Sequence, residues 1–239
     1  MDEALGALSV TVVKSPNHSP IIYDTELDPD LPEARFGLGV LAHRDGQLEA
    51  ARQHYEQALD GAPGNRRYLT NLAGVLLDLG EHQAALAAYE RLLATPPRPL
   101  LARLDAGKAA RRAGDLERAA WHHRQLARGL RRPGALESGE NAAQWTFGTG
   151  AKEVTMDTPA SKRAYALLTV ALTRFLAGDP SGAGELVRQA AASPEHRRAL
   201  AVLARDLRAL TGARPELGAQ VEAFRELLDA PVPLPQGAD

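Results

Sequence analysis

Histidine, acidic and glycine-rich patterns are the features of this sequence that could carry chemistry, and none has the spacing of a known site. The seven histidines include no pair four residues apart and no His-Glu-x-x-His pattern. His122 and His123 are adjacent, so on a helix they point about 100° apart. Cysteine is absent, which excludes disulfides, thiolate metal sites and cysteine nucleophiles. We therefore expect neither a metal ion nor a cofactor.

Three further segments approach catalytic or ligand-binding motifs and depart from each. Gly148-Thr-Gly-Ala-Lys152 has its first glycine misplaced for a phosphate-binding loop, and Glu153 follows the lysine. The acidic residues from Asp24 to Asp30 alternate like calcium ligands, but Pro29 stands where such a loop needs glycine. Ser138 lacks the glycine two residues earlier that a nucleophile elbow requires. We predict that the protein is not an enzyme.

The charges are unevenly distributed although the net charge is only −2. Residues 1–65 hold eleven acidic and four basic side chains, a net of −7, and residues 98–132 hold ten basic and three acidic, a net of +7. The basic region is open to two interpretations, a solvated helix face or a surface for an acidic partner. The acidic stretch from Asp24 to Glu33 could also fold over the basic unit of its own chain or of a second copy.

The overall composition is that of a water-soluble chain. Of the 239 residues, 44% are hydrophobic and 24% are charged. No stretch reaches 18 uninterrupted apolar residues, so we expect no membrane span. The acidic start differs from the basic start of a signal peptide, and the lack of cysteine suits a reducing compartment. We expect a cytoplasmic protein that makes no contact with membranes.

Glycines recur along the chain with a period of 34 residues. Gly46, Gly80, Gly114, Gly178 and Gly212 are separated by 34, 34, 64 and 34 positions, and the odd spacing equals 34 plus 30. Each glycine follows one helical apolar pattern and precedes another, as expected of a helix that ends in a left-handed residue. The sequence therefore predicts helix–turn–helix units with one 30-residue insertion.

The apolar residues around these glycines share helix faces. In the first unit Ala34, Leu38 and Leu41 form one stripe, and Leu48, Ala51, Tyr55 and Ala58 form the next. Helices of this length are marginal alone in water, so each pair must bury its stripe on its neighbours. The pattern predicts a stack of helical hairpins.

These residues resemble the tetratricopeptide repeat (TPR) family. Leu38–Gly39, Ala51, Tyr55, Ala58 and Pro63 stand on the family's positions in the first unit, and Leu69, Leu72–Ala73, Ala85, Tyr89 and Pro97 do so in the second. His123 takes the aromatic place in the third unit and Val187 in the fourth. The resemblance implies an all-α fold, a right-handed α-solenoid of about five TPR-like hairpins.

The remaining segments complete the predicted organisation. Residues 1–31 have β-branched character and form an arm or hairpin, residues 32–133 hold three TPR units, and residues 134–163 form the insertion. The insertion is interpreted as a short helix ending near Trp145, then a hairpin or loop from Trp145–Phe147 to Val154–Met156. Residues 164–231 hold two further units, of which the last caps the array, and residues 232–239 form a flexible tail.

The resemblance also implies where a partner would bind. First helices of successive TPR units line a concave groove, which here would be basic in its middle and apolar at one end. The implied lining is Phe36, Val40, His43, Arg67, Thr70, Asn71, Lys108, Arg111, Arg112, Tyr165, Thr169 and Leu172. A segment with carboxylates and bulky apolar residues would complement it. Only Asn71 matches the carboxylate clamp of one branch of the family, so we do not expect chaperone-tail binding.

The preferred hypothesis is a non-catalytic scaffold that binds another protein or a peptide. One alternative is nucleic-acid binding by the basic region 98–132, which we do not favour because aromatic residues interleave poorly there. A second alternative is self-association into a homo-oligomer.

Overall fold

The computed structural model describes residues 31–137, 139–141, 145–147 and 154–229. All but the last residue of the predicted N-terminal arm, and the whole predicted tail, lie outside these residues. So do the acidic stretch up to Asp30, Ser138 and the Gly148–Lys152 segment.

Ten α-helices form most of the described structure, which confirms the predicted all-α class. They are α1 (Pro32–Arg44), α2 (Leu48–Gly61), α3 (Arg66–Asp78), α4 (His82–Ala94), α5 (Leu100–Ala113), α6 (Leu116–Leu130), α7 (Pro159–Leu176), α8 (Pro180–Ala191), α9 (His196–Ala213) and α10 (Gly218–Asp229). The helices are packed as sequential hairpins, as in a TPR α-solenoid.

Four of the five periodic glycines lie in the turns between helices, as predicted. Gly46, Gly80, Gly114 and Gly178 have φ angles of 77°, 81°, 92° and 85°, a region that glycine enters without a steric penalty. Side-chain caps then start several helices. The carboxylate of Asp115 accepts a hydrogen bond from the Arg118 amide, and that of Asp179 accepts one from the Gly182 amide.

Gly212 departs from this pattern, which corrects the prediction for the fifth unit. It lies inside α9, which continues to Ala213. The turn is made by residues that follow it, because Arg214 leaves the helical conformation with φ −137° and ψ 74° and Pro215 then begins a 3₁₀ turn, Pro215–Leu217. The fifth hairpin consists of α9, this turn and α10.

The insertion contains a two-stranded antiparallel hairpin. Strands β1 (Trp145–Phe147) and β2 (Val154–Met156) pair with Thr146 opposite Thr155. In the described residues before β1, the structure has a 3₁₀ turn at Gly139–Asn141 where a short helix was predicted.

The chain divides into two compact units, and the first extends to Leu79. Its core is aromatic: the Phe36 ring stacks on Tyr68 with centroids 4.8 Å apart and lies 5.5 Å from the Tyr55 ring. Gly39 permits this packing, because a Cβ atom there would lie 2.6 Å from two carbons of the Tyr55 ring. Unit 1 is thus held together by α1 packing on α2 through a glycine–aromatic contact.

Unit 2 runs from Gly80 onward, and its core surrounds α7. This helix packs against α6, α8 and α9, and its Tyr165, Leu168 and Leu172 are completely buried. His123 of α6 packs on Gly107 of α5, as Tyr55 packs on Gly39 in unit 1. The predicted aromatic-place role of His123 is confirmed by its burial at 1% exposure.

None of the helices in residues 31–137 or 154–229 is long and apolar enough to cross a membrane.

Candidate functional site

The predicted binding residues of unit 1 fall on one side of α1 and α3. Arg67 and Thr70 are exposed, and Val40, His43 and Asn71 are half-buried. These five residues are named the unit 1 surface. Because positions 67, 70 and 71 lie within about one turn of α3, their side chains share a helix face.

Local contacts orient the polar groups of the unit 1 surface. The Nε2 atom of His43 lies 3.1 Å from the Asp78 carboxylate. The Asn71 amide donates a hydrogen bond to the Arg67 carbonyl at 2.9 Å, and the Thr70 hydroxyl donates to the Arg66 carbonyl at 2.8 Å. Contacts within the helix therefore engage part of the hydrogen-bonding capacity of these side chains.

Phe36 does not belong to this exposed surface, which corrects its predicted place in the groove lining. Its ring is 2% exposed and belongs to the aromatic core of unit 1. The guanidinium of Arg67 lies over the ring, with its carbon 4.6 Å from the ring centroid. The buried Phe36 ring thus packs against the Arg67 guanidinium and is not exposed to a partner.

In unit 2 the predicted basic centre lies in the interior. Lys108 is 6% exposed, Arg111 is fully buried, and the side chain of Arg112 is 10% exposed. They form an ion network with residues of three helices, which is named the buried ion network: Asp105, Lys108, Arg111, Arg112, Tyr165 and Asp206. The expectation that this basic cluster faces an open groove is therefore corrected.

Asp206 of α9 is the acceptor at the centre of the network. Its carboxylate lies 3.4 Å from the Lys108 Nζ and 3.3 Å from the Arg112 Nη2, and the Tyr165 hydroxyl donates a hydrogen bond to it. Asp105 adds a second carboxylate 3.2 Å from Lys108. Paired, hydrogen-bonded charges of this kind are what a buried polar cluster requires.

The pKa directions follow from burial and from these neighbours. Burial raises the pKa of Asp105, although Lys108 opposes the shift. Burial alone would also raise the pKa of Asp206, but the Lys108 and Arg112 cations hold it below its usual range. The opposite holds for Lys108. Burial lowers its pKa, but the Asp206 carboxylate raises it by more, so the pKa of Lys108 lies above its ordinary value. Lys108 and Asp206 therefore stay charged at neutral pH.

Arg111 differs from its neighbours because only neutral acceptors contact its guanidinium at hydrogen-bond distance. Its Nη1 donates to the Thr173 hydroxyl at 2.7 Å and to the Thr169 carbonyl at 3.4 Å, and its Nε has no partner among the described residues. Burial lowers the pKa of Arg111 to about 10, which leaves it cationic at neutral pH. Unit 2 therefore holds a buried positive charge that no carboxylate contacts directly.

His123 completes a chain of hydrogen bonds from this cation. Its Nδ1 lies 2.8 Å from the Thr173 hydroxyl and its Nε2 lies 3.2 Å from the Leu104 carbonyl. Burial, followed by the nearby Arg111 charge, lowers the pKa of His123 to about 3. The ring is therefore neutral, with Nε2 donating to Leu104 and Nδ1 accepting from Thr173.

The other predicted groove residues of unit 2 are also buried. Tyr165, Thr169 and Leu172 on α7 have no exposed surface. The face of α5 and α7 that would line a groove is covered by α9, which contacts both helices. Binding by these residues stays a prediction, and in this structure α9 occupies the space in front of them.

Residue Asp206 was missed by the sequence analysis although a signal was available. Val202, Leu203, Leu207 and Leu210 form the apolar stripe of α9, and Asp206 stands within that stripe, where an unpaired carboxylate would be costly. A carboxylate in such a place indicates a buried cation on the facing helix. Lys108 and Arg111 meet that description because they lie four and seven residues after the buried Leu104.

The basic residues outside the network are divided between pairing and exposure. Arg118 pairs with Glu90 at 2.8 Å, whereas Arg124 and Arg128 on α6 and Arg131 at its C-cap are exposed. Because Lys108 and Arg111 are internal, the exposed positive charge of region 98–132 is smaller than its sequence net of +7 indicates. This reduces the surface that a nucleic acid could use.

Among the residues that the structure describes, no group of three or more His, Asp or Glu side chains could hold a metal ion.

Comparisons with known proteins agree with this architecture. Residues 42–106 match the family model described as tetratricopeptide repeat. A search of curated proteins gives no significant match.

Solved structures share the fold at low sequence identity. MamA, residues 41 to the end, from Desulfovibrio magneticus RS-1 is 15% identical, with 70% of this chain and 77% of that chain covered and a TM-score of 0.52. YrrB, described as a TPR protein with an unusual peptide-binding site, is 16% identical over 84% of this chain and 78% of that chain, with a TM-score of 0.51. PilW, described as a type IV pilus biogenesis factor, is 17% identical over 86% and 80%, with a TM-score of 0.51.

The family match, the helical hairpins and the glycine–aromatic contacts that join their helices agree with one another. Gly39 with Tyr55 and Gly107 with His123 occupy positions that the sequence pattern assigns to the repeat. Residues 42–106 therefore match the tetratricopeptide repeat, and the described helical hairpins have the TPR fold.

Proposed function

We propose that this protein is a non-catalytic interaction scaffold that binds a peptide or partner segment through the unit 1 surface. TPR-fold proteins are typically protein–protein interaction scaffolds. The observation that carries the proposal is the contrast between the two units. The first-helix residues Arg67 and Thr70 are exposed in unit 1, whereas α9 covers Tyr165 and Thr169 in unit 2.

The chemistry of the unit 1 surface supports one kind of partner. Arg67 offers a cation, Thr70 a hydroxyl and Val40 an apolar contact. The Phe36 ring beneath Arg67 fixes the guanidinium, so less side-chain entropy is lost when a carboxylate binds it. An extended segment with a carboxylate beside an apolar side chain complements this surface. The peptide-binding site named for YrrB supports a peptide as the partner.

A charge reversal with a matched control tests the proposal. Partners captured from native cell extract by the purified protein are compared with those captured by Arg67→Glu and by Gln53→Glu/Gln57→Glu. Both variants change the net charge by −2, and Gln53 and Gln57 are exposed on α2. We expect a specific partner to be lost only with Arg67→Glu, while circular dichroism shows equal helicity. Retention of every partner by Arg67→Glu would refute the role of this surface.

The alternatives give different results in simple measurements. Self-association makes the apparent mass rise with concentration in light scattering, before any partner is added. Nucleic-acid binding gives a gel shift that weakens steeply with salt. We propose the cytoplasm as the location, because a chain without cysteine gains nothing from an oxidising compartment.

A further inference from the structure

In unit 2, a second exposed surface carries cations that have no partner in the described chain. Arg124 and Arg128 are exposed on α6, and Arg131 is exposed at its C-cap, at spacings of four and three residues. The ion pairs among the described residues involve none of the three. These residues are named the arginine row, and they span about 10 Å along the helix axis.

The arginine row borders a cavity of about 430 Å³ between α6, α7 and α8. Its apolar lining is Ala120, Ala127, Val170, Ala177 and Leu186. A neighbouring cavity of about 230 Å³ shares Ala127, Arg131 and Leu186 with it. The first of these is named the arginine-lined cavity, and its volume lies in the range of about 300–1,000 Å³ that small ligand sites have.

Positive charge dominates this cavity. Arg174 also lines it, but Asp179 lies 2.6 Å away and neutralises that cation. Behind the lining residue Thr173 lies the buried Arg111, whose Nη1 donates to the Thr173 hydroxyl. The arginine row and Arg111 therefore create a positive potential at a site with an apolar floor.

We propose that the arginine-lined cavity binds an acidic peptide segment from another protein, with an apolar side chain in the cavity and carboxylates on the arginine row. In an extended segment, side chains on the same face are about 7 Å apart, so two carboxylates fit the length of the row. Arginine binds carboxylates in a planar, two-point geometry, which favours a peptide over a diffuse counterion. The site is separate from the unit 1 surface and does not depend on it.

Two observations argue against a nucleic acid at this site. No aromatic side chain except the neutral His123 lines the cavity, so stacking platforms for bases are missing from the described lining. The floor is formed by alanine, valine and leucine, which suits an aliphatic side chain.

The test measures fluorescence anisotropy of labelled synthetic peptides added to the full chain. The first probe alternates leucine with aspartate and glutamate, the second replaces leucine with serine, and the third replaces the acids with lysine. We expect only the first to bind well, with an affinity that falls as salt rises. Equal binding of the lysine and acidic probes would overturn the proposal, as would tighter binding of a labelled single-stranded oligonucleotide.

Variants separate the charge contribution from the apolar one. Arg128→Glu/Arg131→Glu should weaken the first probe about tenfold or more, and Ala127→Met, which fills the cavity, should weaken it several-fold without changing charge. The control is Arg208→Glu, an exposed site on α9 outside the cavity lining. Loss of binding in the control equal to that in the double variant would contradict the assignment.

A final arm distinguishes a partner segment from the chain's own acidic stretch. Asp24→Asn/Glu26→Gln/Asp28→Asn/Asp30→Asn in the full chain should leave the probe affinity unchanged within about twofold. An increase of about tenfold would show that this stretch already competes for the cavity, which would overturn the assignment to another protein.

Discussion

Asp206 on α9 lies 3.4 Å from the Nζ of Lys108 on α5, and this pair joins the fifth hairpin to the third. The contact lies where α9 packs on α5 and α7. An ion pair with 6% and 7% side-chain exposure is sensitive to the loss of one member, because the remaining charge stays buried.

Replacing this carboxylate should strongly destabilise unit 2. Asp206→Asn leaves Lys108 and Arg112 without their shared counter-charge, and we expect a loss of about 3 kcal/mol in the free energy of unfolding. Urea denaturation followed by circular dichroism measures it. A loss below about 1 kcal/mol would mean that the network is not a structural contact.

The coupling between the two residues can be isolated in a double-mutant cycle. Lys108→Met removes the cation while keeping an unbranched side chain. We expect Lys108→Met/Asp206→Asn to lose at least about 1 kcal/mol less than the sum of the two single variants. Strict additivity would place the contribution of Asp206 in other contacts, such as those with Arg112 and Tyr165.

The glycine at position 107 should be intolerant of any side chain. A Cβ there would lie 2.1 Å from the His123 Nε2, a ring atom held by the Leu104 carbonyl. We expect Gly107→Ala to cost about 2–3 kcal/mol. Gly74→Ala is the matched control, because no atom lies within 4 Å of its Cβ and alanine favours helix by about 1 kcal/mol. Destabilisation by both substitutions to the same extent would refute the steric argument.

Stability should depend on pH through His123. Its pKa is about 3 in the folded chain, and the ordinary value is near 6.5. Between these pH values only the unfolded chain binds the proton. The contribution of His123 to the free energy of unfolding is therefore fully present above about pH 6.5, and below it falls by roughly 1.4 kcal/mol per pH unit.

His123→Phe isolates this contribution. Urea denaturation at pH 7 and pH 5 should show that the variant loses roughly 2 kcal/mol less than the parent chain over this interval. Equal losses in both chains would assign the pH dependence to other groups.

The repeat architecture could be predicted because its signals are local. A left-handed turn depends on a single residue, as at Gly46, Gly80, Gly114 and Gly178. A helix cap depends on residues within three positions of it, as at Asp115 and Asp179. Gly212 has the same spacing, but its backbone is helical, because the helix ends only after it, at Arg214 and Pro215. Periodicity alone therefore placed the last turn incorrectly.

The exposure of the predicted binding residues could not be read from the sequence in the same way. Lys108 and Arg111 have the spacing of first-helix surface residues, but Lys108 is buried against Asp206 of α9, almost 100 positions later in the chain, and Arg111 against Thr169 and Thr173 of α7. In the sequence, only the carboxylate of Asp206 within an apolar stripe indicates the long-range contact between α9 and α5. The residues of unit 1 kept their predicted exposure at Arg67 and Thr70 because the described part of that unit has no corresponding covering helix.

Thiol labelling tests most directly whether the predicted binding residues are exposed in unit 1 and covered in unit 2. The chain has no cysteine, so Thr70→Cys and Thr169→Cys each introduce a single reactive group. We predict that Thr70→Cys reacts at the rate of a free thiol and that Thr169→Cys reacts at least about a hundredfold more slowly under native conditions, with the difference abolished in urea. Equally fast labelling at both positions in the folded protein would contradict the account.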